Sequence, residues 1–486
     1  MKARSRALSA LTLAAVAVWC VLRYVDAVGV YFYLDDFWLL KQATRLQLDS
    51  PVDLLQLFEP SHMGFLLYRP LTHAVWFGLL TASLGPDPSA FHAASVLAFT
   101  GCALLAYALA RRLTGSRRAA LAAALLYAAA PGHAAAVYWS AAFTMLGTSL
   151  AVFSLVWCWL RIDSGWRGPA CAVLQLVALL CSEHAVAGPL LLALVALFGP
   201  RREPLRRAAA ALGPSLAVVV AYLALKLWLL PAEFAARPQT AYALGFDPLE
   251  WLVHLGRYVA SCSDALALLD PRAGFAIALG VGWAALFGLA AVRSVRGGEA
   301  WRPLALASGW FGAALLPVLP LGQHFSPYYV GVAALGFALV AVAALQLATA
   351  RWREACLVVA ALSLALAAGS GHRAARTPTL ETLEQGSRTS ALWLLRIARE
   401  AQSHPGDVLI VPRIGATGYV LGIGRAHRSL IDPPPVVKLV PALPVPEPAP
   451  GRVIVGAPAR ARRPGERLPG WSPRWDWLRR IGGVSL

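Results

Sequence analysis

LLYRPLTHAVWFGLLTASL, residues 66–84, is the stretch on which the topology of this chain turns. A helix crossing the ~30 Å hydrocarbon core needs about 20 predominantly apolar residues, so the run is nearly long enough to span. Were it to cross, the arginines from Arg111 to Arg118 would lie opposite the N-terminal cations, and every later loop would invert. Arg69 and His73 also sit awkwardly for hydrocarbon. We therefore read 66–84 as a re-entrant or interfacial helix on the outer face. Charge then sorts at every turn. With the N-terminus cytoplasmic, Lys2, Arg4, Arg6 and the alternate loops hold 18 basic residues against four acids, and the opposite loops hold eight against thirteen. That is the positive-inside asymmetry of a polytopic membrane protein.

Composition points to the same class. Of 486 residues, 58% are hydrophobic and 14% charged, with a mean hydropathy of +0.60. Soluble domains carry about 25% charged residues. A soluble enzyme, a disordered chain and a coiled coil are thereby excluded. The net charge of +18 and pI near 10.1 would suggest nucleic acid in a soluble protein. Here they follow mainly from arginine-rich cytoplasmic loops, and no nucleic-acid partner is expected.

Eleven spans are expected, over 8–25, 91–111, 118–134, 139–160, 168–182, 185–200, 208–230, 273–292, 303–321, 327–350 and 354–370. As one helix, the apolar run 168–200 would be about 50 Å long, too long to span. Ser182, Glu183 and His184 interrupt its middle, so a tight helical hairpin fits better. The first twenty residues have signal-peptide character but no small-residue cleavage site, and read as an uncleaved anchor. Seven cysteines form neither a CxxC pair nor a Cys/His cluster, so no disulfide framework or thiolate metal site is indicated. The first outer loop, 26–90, is unusually long, as functional loops are; a second runs over 231–272. The membrane domain thus covers 1–370. The tail, 371–486, contains an amphipathic helix at 388–402, strand-like runs at 407–411 and 452–456, and a Pro-dense stretch at 433–450. It reads as a small α/β appendage or a partly disordered tail. Its 17 basic and eight acidic residues lie outside if eleven spans are right, against the usual bias.

Five polar groups gather at outer span ends. Asp35-Asp36, in YFYLDDFWLL, is a carboxylate pair whose members raise one another's pKa. It suits a general base or a cation site, and equally a solvated interfacial pair. HMGFLLYRPLTH (62–73) places Arg69 and His73 on the outer helix. Arginine binds phosphate by bidentate charge-assisted bonds, although snorkelling to headgroups is the plainer reading. His133 follows Pro131-Gly132, where a lone histidine is more often structural. Glu183-His184 at the hairpin tip is costly unless it faces a cavity. His324 and Tyr328 lie in QHFSPYY (323–329), where an aromatic belt explains the tyrosines but not the histidine. All five fall on one face, as a site opening outward between helices requires.

These motifs, together with YRPLT (68–72), AAAPGHAAAVYWSAAFTMLGT (128–148), the SEH tip and HFSPYYVGVAALGFAL (324–339), resemble the GT-C superfamily over roughly residues 8–350. Their order is similar to that in the membrane halves of tetratricopeptide-repeat O-mannosyltransferases and their bacterial relatives. The repeats themselves are absent, so a protein acceptor does not carry over. Ser182 stands where those relatives have Lys, and Gln323-His324 where they have Glu-Arg. The resemblance implies an α-helical GT-C bundle and an inverting glycosyltransferase of the bacterial inner membrane with an outward site. It implies a polyprenyl-phosphate sugar donor and a lipid, glycan or protein acceptor. Asp35 or Asp36 would be the base, and Arg69, His73, His133, Glu183, His184, His324 and Tyr328 would bind donor phosphate or substrate. The leaving phosphate would meet Arg69, His324 or a divalent cation, for which Asp36 and Glu183 are the candidate ligands. The competing readings are a transporter or flippase of lipid-linked sugars and an O-antigen ligase or polymerase. A transporter would show two related halves, and none is visible; a ligase would rely on a large late outer loop, whereas here the first is the long one.

Overall fold

The computed structural model describes residues 2–44, 50–59, 68–200, 203–229, 245–263, 273–296, 298–321, 324–347, 378–413, 437–441 and 452–455. The expected span at 354–370 and His62 lie outside them. Helix α1 (Lys2–Tyr24) continues through a 3-10 turn (Val25–Gly29) toward the short α2 (Asp35–Ala43). Helix α3 (Leu71–Leu84) opens on a π turn over Leu71–Val75. Its 14 residues rise only about 21 Å, well short of the hydrocarbon thickness. The stretch on which the topology turns does not form a helix of spanning length.

Among the described residues six helices are long and apolar enough to cross a membrane: Ala10–Gly29, Pro88–Thr114, Ser140–Arg161, Leu205–Trp228, Ala276–Val295 and Pro327–Ala344. Several of the other expected spans are shorter helices than their apolar runs suggest. Residues 118–134 form α5 (Arg117–Ala129), which stops before Pro131-Gly132, and 303–321 form α13 (Arg302–Leu315), which unwinds into turns. The 168–200 run becomes α8 (Arg167–Cys181) and α9 (Gly188–Phe198). Apolar runs overstate helix length wherever Pro, Gly or a capping Ser interrupts the backbone ladder.

The long helices owe their ends to local chemistry. Helix α4 (Pro88–Thr114) begins with Pro88 at its first position, and Asp87 accepts the Ser89 amide at 3.0 Å. It ends at Gly115, whose φ of +69° closes a left-handed cap that other residues adopt only at a cost. Ser116 then caps α5, whose buried Ala120, Ala123, Ala124 and Ala128 allow close approach to α4.

After α6 (His133–Tyr138) and a 3-10 turn (Ser140–Ala142), α7 (Phe143–Arg161) returns through the bundle. Helices α8 and α9 reverse direction at the 3-10 turn Glu183–Ala187, but not as a tight hairpin. Both arms pack against α10 (Leu205–Leu229). Helices α11 (Pro248–Ser263) and α12 (Ala273–Val295) pair, as do α13 and α14 (Val330–Leu347).

Charged groups collect at opposite ends of this bundle. At one end Arg167 bridges Asp163 at 2.9 Å and Glu203 at 2.6 Å, and Arg302 donates to the carbonyls of Leu197 and Gly199. The other end, beyond the Cys181 and Gly188 termini of α8 and α9, carries the acidic loop, the α8–α9 turn and Pro327–Tyr329.

The tail contributes helix α15 (Pro378–Ser403), ten residues longer at its start than the expected 388–402. A parallel sheet of order β2-β1-β3 follows, formed by β1 (Val408–Arg413), β2 (Val437–Pro441) and β3 (Arg452–Ile454). Strand β2 lies inside the Pro-dense stretch. The described part of the tail is therefore an α/β appendage, and α15 docks on α6.

Candidate functional site

The acidic loop is built on buried aromatics. Tyr31, Phe32 and Tyr33 pack inward, and the next residue, Leu34, adopts φ +50° and ψ −113°. A side-chain-bearing residue held there costs about 1–3 kcal/mol and persists only when its surroundings over-determine it. They do. Asp36 accepts the Tyr33 amide at 2.9 Å, and Trp139 donates its indole N–H to the Tyr33 carbonyl at 3.3 Å. The other Asp36 oxygen accepts the Ala141 amide at 2.6 Å.

The adjacent carboxylates are thus differently placed. Asp36 is 1% exposed and engaged on both oxygens; burial pushes its carboxyl well above the ordinary range while the two amides pull it back. Asp35 is exposed at the N-terminus of α2, where the helix dipole favours an anion. Replacing Asp36 with Ala strands two amides at about 1–3 kcal/mol each. We expect Asp36→Ala to lower the denaturation midpoint of the solubilised protein markedly, and Asp36→Asn, which keeps one acceptor, to lower it less.

The cationic half centres on Glu183. Arg69, 8% exposed at the start of α3, grips it in a bidentate pair, with Nε 2.9 Å from Oε2 and Nη2 on Oε1. Lys226, in the last turn of α10, brings Nζ to 3.8 Å from the same carboxylate. Burial opposes ionisation of Glu183, and Arg69 with Lys226 outweighs it, holding the carboxyl well below its usual range. Two cations on one carboxylate leave the cluster with net positive charge. Sequence reading did not assign Lys226 to the site. The available signal was a lone lysine in the last turn of a helix whose other charges, Arg206 and Arg207, lie at its start.

Histidines and hydroxyls tie the elements together. His73 Nε2 lies 3.3 Å from Thr144 Oγ1, and Thr72 donates to the Cys181 carbonyl at 2.8 Å. His184 Nδ1 is 2.7 Å from Ser182 Oγ, and its ring lies 4.6 Å from that of Tyr329. His324 also faces Tyr329, at 5.7 Å between ring centres. Tyr328 contacts Trp139, so one indole links the Asp-bearing loop to the Tyr-rich run. A small cavity lined by Thr148, Ser149, His184 and Tyr329 continues the site between α7 and α14.

Burial, reinforced by Arg69, lowers His73 to about 3, and burial lowers His184 to about 4 against the upward pull of Glu183. Both are neutral when folded near neutral pH. Between their ordinary 6.5 and these values the unfolded chain takes up protons that the folded one refuses, so stability falls as pH falls. We expect thermal unfolding midpoints to drop steadily from pH 6.5 toward 4.5, with a shallower slope in His184→Gln.

Six expected residues therefore converge: Arg69, His73, Glu183, His184, His324 and Tyr328. Asp35 and Asp36 join them through α2, which packs against both the π turn of α3 and the Ser140–Ala142 turn. His133 does not. It is buried between the rings of Phe99 and Tyr127, at 5.1 and 4.5 Å, inside the bundle core. Among the described residues no group of three or more His, Cys, Asp or Glu could hold a metal ion. The oxygens of Asp36 are bonded to amides and those of Glu183 to Arg69.

No protein-family model matches the chain, and no curated protein matches it significantly. A solved structure does match: the crystal structure of ArnT from Cupriavidus metallidurans bound to undecaprenyl phosphate. It superimposes with a TM-score of 0.53 at 15% identity, over 88% of this chain and 85% of that one. The chain therefore shares its fold with that membrane protein. The likeness covers most of both chains.

Proposed function

We propose that this protein is an inverting glycosyltransferase. It moves a sugar from a polyprenyl-phosphate donor to an acceptor hydroxyl on the extracytoplasmic face of a membrane, which we take to be the bacterial inner membrane. Residues 1–370 carry the chemistry and 371–486 form an extramembrane appendage. The observation that carries this reading is the pairing of an exposed carboxylate, Asp35 on a strained turn, with a net-positive cluster at the same end of the bundle. The GT-C fold, shared with a protein bound to undecaprenyl phosphate, supports it. So do the exposed Leu227 and Trp228 beside Lys226, apolar surface on which an isoprenoid tail can stay in lipid.

The chemistry follows from charge. Asp35 accepts the proton of the acceptor hydroxyl as that oxygen attacks the anomeric carbon from the face opposite the phosphate. The bond from that carbon to the phosphate oxygen breaks, its electron pair leaves with the phosphate, and the configuration inverts. The donor is a phosphodiester with one negative charge, and the departing phosphomonoester develops a second. Fixed cations therefore gain most at the transition state, which is how they accelerate the step. Arg69 and Lys226 supply that charge, His324 adds a neutral donor, and Glu183 keeps the two cations in place. Purified full-length protein incubated with a panel of polyprenyl-phosphate sugars and acceptors should release polyprenyl phosphate with transfer of the sugar. Movement of intact donor across vesicles without cleavage would instead identify a transporter.

A further inference from the structure

The turn that displays Asp35 is also held from the far end of the chain. The Tyr31 amide donates to Ser387 Oγ at 2.7 Å, a buried bond between residues 356 positions apart. One position earlier, Gly386 lies so close to the Tyr33 ring that any Cβ there would overlap it. Ser387 and Tyr31 are almost wholly inaccessible, so this contact is an internal joint and not a surface brush. Helix α15 also packs on α6, which leads directly into Trp139, the residue bonded to the Tyr33 carbonyl. One helix of the appendage thus touches both the strained turn and the element that braces it.

We infer that α15 is a positioning clamp for Asp35, acting through Gly386 and Ser387; the inference rests on Asp35 being the base. The bonds from Asp36 and Trp139 act on the peptide groups of Tyr33. The bond to Ser387 fixes Tyr31, and Gly386 seats the ring of Tyr33. Together these restraints straddle Leu34, whose backbone would otherwise relax and swing the carboxylate that follows it. A shift of about 1 Å in a positioned catalytic group is enough to cost roughly a hundredfold in rate. Neither Gly386 nor Ser387 needs to reach the substrate for this effect.

The test uses the full-length protein with Gly386→Val, Ser387→Ala and, as control, Arg388→Ala on the exposed side of the same helix. Amide hydrogen exchange over residues 31–44 is read beside kcat, the donor KM with the undecaprenyl-phosphate sugar that the wild type uses, and the thermal midpoint. In Gly386→Val the turn should exchange at least about tenfold faster, and kcat should fall about tenfold or more with KM nearly unchanged. Ser387→Ala should move both in the same direction by less, and Arg388→Ala neither. In a Tyr33→Ala background, where the ring is gone, Gly386→Val should add little.

Unchanged exchange and kcat in Gly386→Val, or full additivity with Tyr33→Ala, overturns the clamp. So does a loss of kcat that merely follows the thermal midpoint across the series, the mark of a structural role. If Gly386→Val does not fold, Ser387→Ala against Arg388→Ala decides by the same readings. If the wild type transfers no sugar from the panel, the glycosyltransferase reading fails, and the exchange measurements alone decide whether α15 restrains the turn.

Discussion

Asp35→Asn should reduce the turnover of sugar transfer by at least about a hundredfold, the lower end of what a lost general base costs. The amide keeps the size and most of the hydrogen bonding of the carboxyl but cannot accept a proton at neutral pH. Because Asp35 is exposed and Asp36 holds the turn, folding should survive: the thermal midpoint and the exchange of residues 31–44 should match the wild type. The donor KM should change little, since Asp35 acts on the acceptor. Asp36→Asn provides the contrast, with lower stability and turnover falling because the turn loosens. Single-turnover assays with saturating donor measure the chemical step directly. Full activity in Asp35→Asn would remove it as the base, and the site would need another proton acceptor.

Glu183→Gln should have the largest effect on stability. Removing one partner of a buried ion pair typically costs about 3–5 kcal/mol, because the other charge stays buried without compensation. Glu183 retains 28% side-chain exposure, so the lower end, about 3 kcal/mol, applies. The loss is aggravated here because Arg69 and Lys226 would then face each other with no carboxylate between them. Arg69→Met is milder in this respect, since Glu183 keeps Lys226. A second signature separates the proposed role from packing. An anion bound between the two cations replaces the missing charge, so saturating undecaprenyl phosphate should restore much of the lost midpoint in Glu183→Gln. An uncharged polyprenol should not. Equal midpoints for wild type and Glu183→Gln would show that the pair contributes nothing, and failure of the phosphate to rescue would argue against an anion site there.

Much of this protein is legible without coordinates because a membrane imposes simple rules. Hydrocarbon forces long apolar helices, and the translocation bias writes sidedness into the loops. Hence 66–84 reads as too polar at Arg69 and His73 to be a span, and α3 is shorter than that apolar run. The tail helix and two of its strands are visible from periodicity. Helix lengths are less legible, since α5, α8, α9 and α13 end earlier than their apolar runs do, at Pro131-Gly132, Ser182 and their neighbours. The tight hairpin fails for a related reason: the sequence marks the reversal at Ser182–His184, but α10 offers both arms a better packing surface than they offer each other.

The site divides in the same way. Residue type and position along each span nominate Arg69, Glu183, His184 and His324, because an ionisable group is expensive near lipid and stays there only for a reason. Pairing is a different matter. Arg69 and Glu183 are 114 positions apart and Tyr31 and Ser387 are 356 apart, and no local pattern relates them. Nor does sequence distinguish two neighbouring aspartates. Asp35 and Asp36 have the same chemistry and the same flanks, and only the amides of Tyr33 and Ala141 assign one to structure and leave the other exposed. His133 shows the converse, a plausible ligand by position that two aromatic rings enclose in the core. Sequence by itself determined that the chain is a polytopic membrane protein, because burial in lipid acts on each residue singly. Tertiary structure alone decided which acid is displayed, which cations share Glu183 and how a C-terminal helix grips the first loop, because those depend on contacts between residues far apart in the chain.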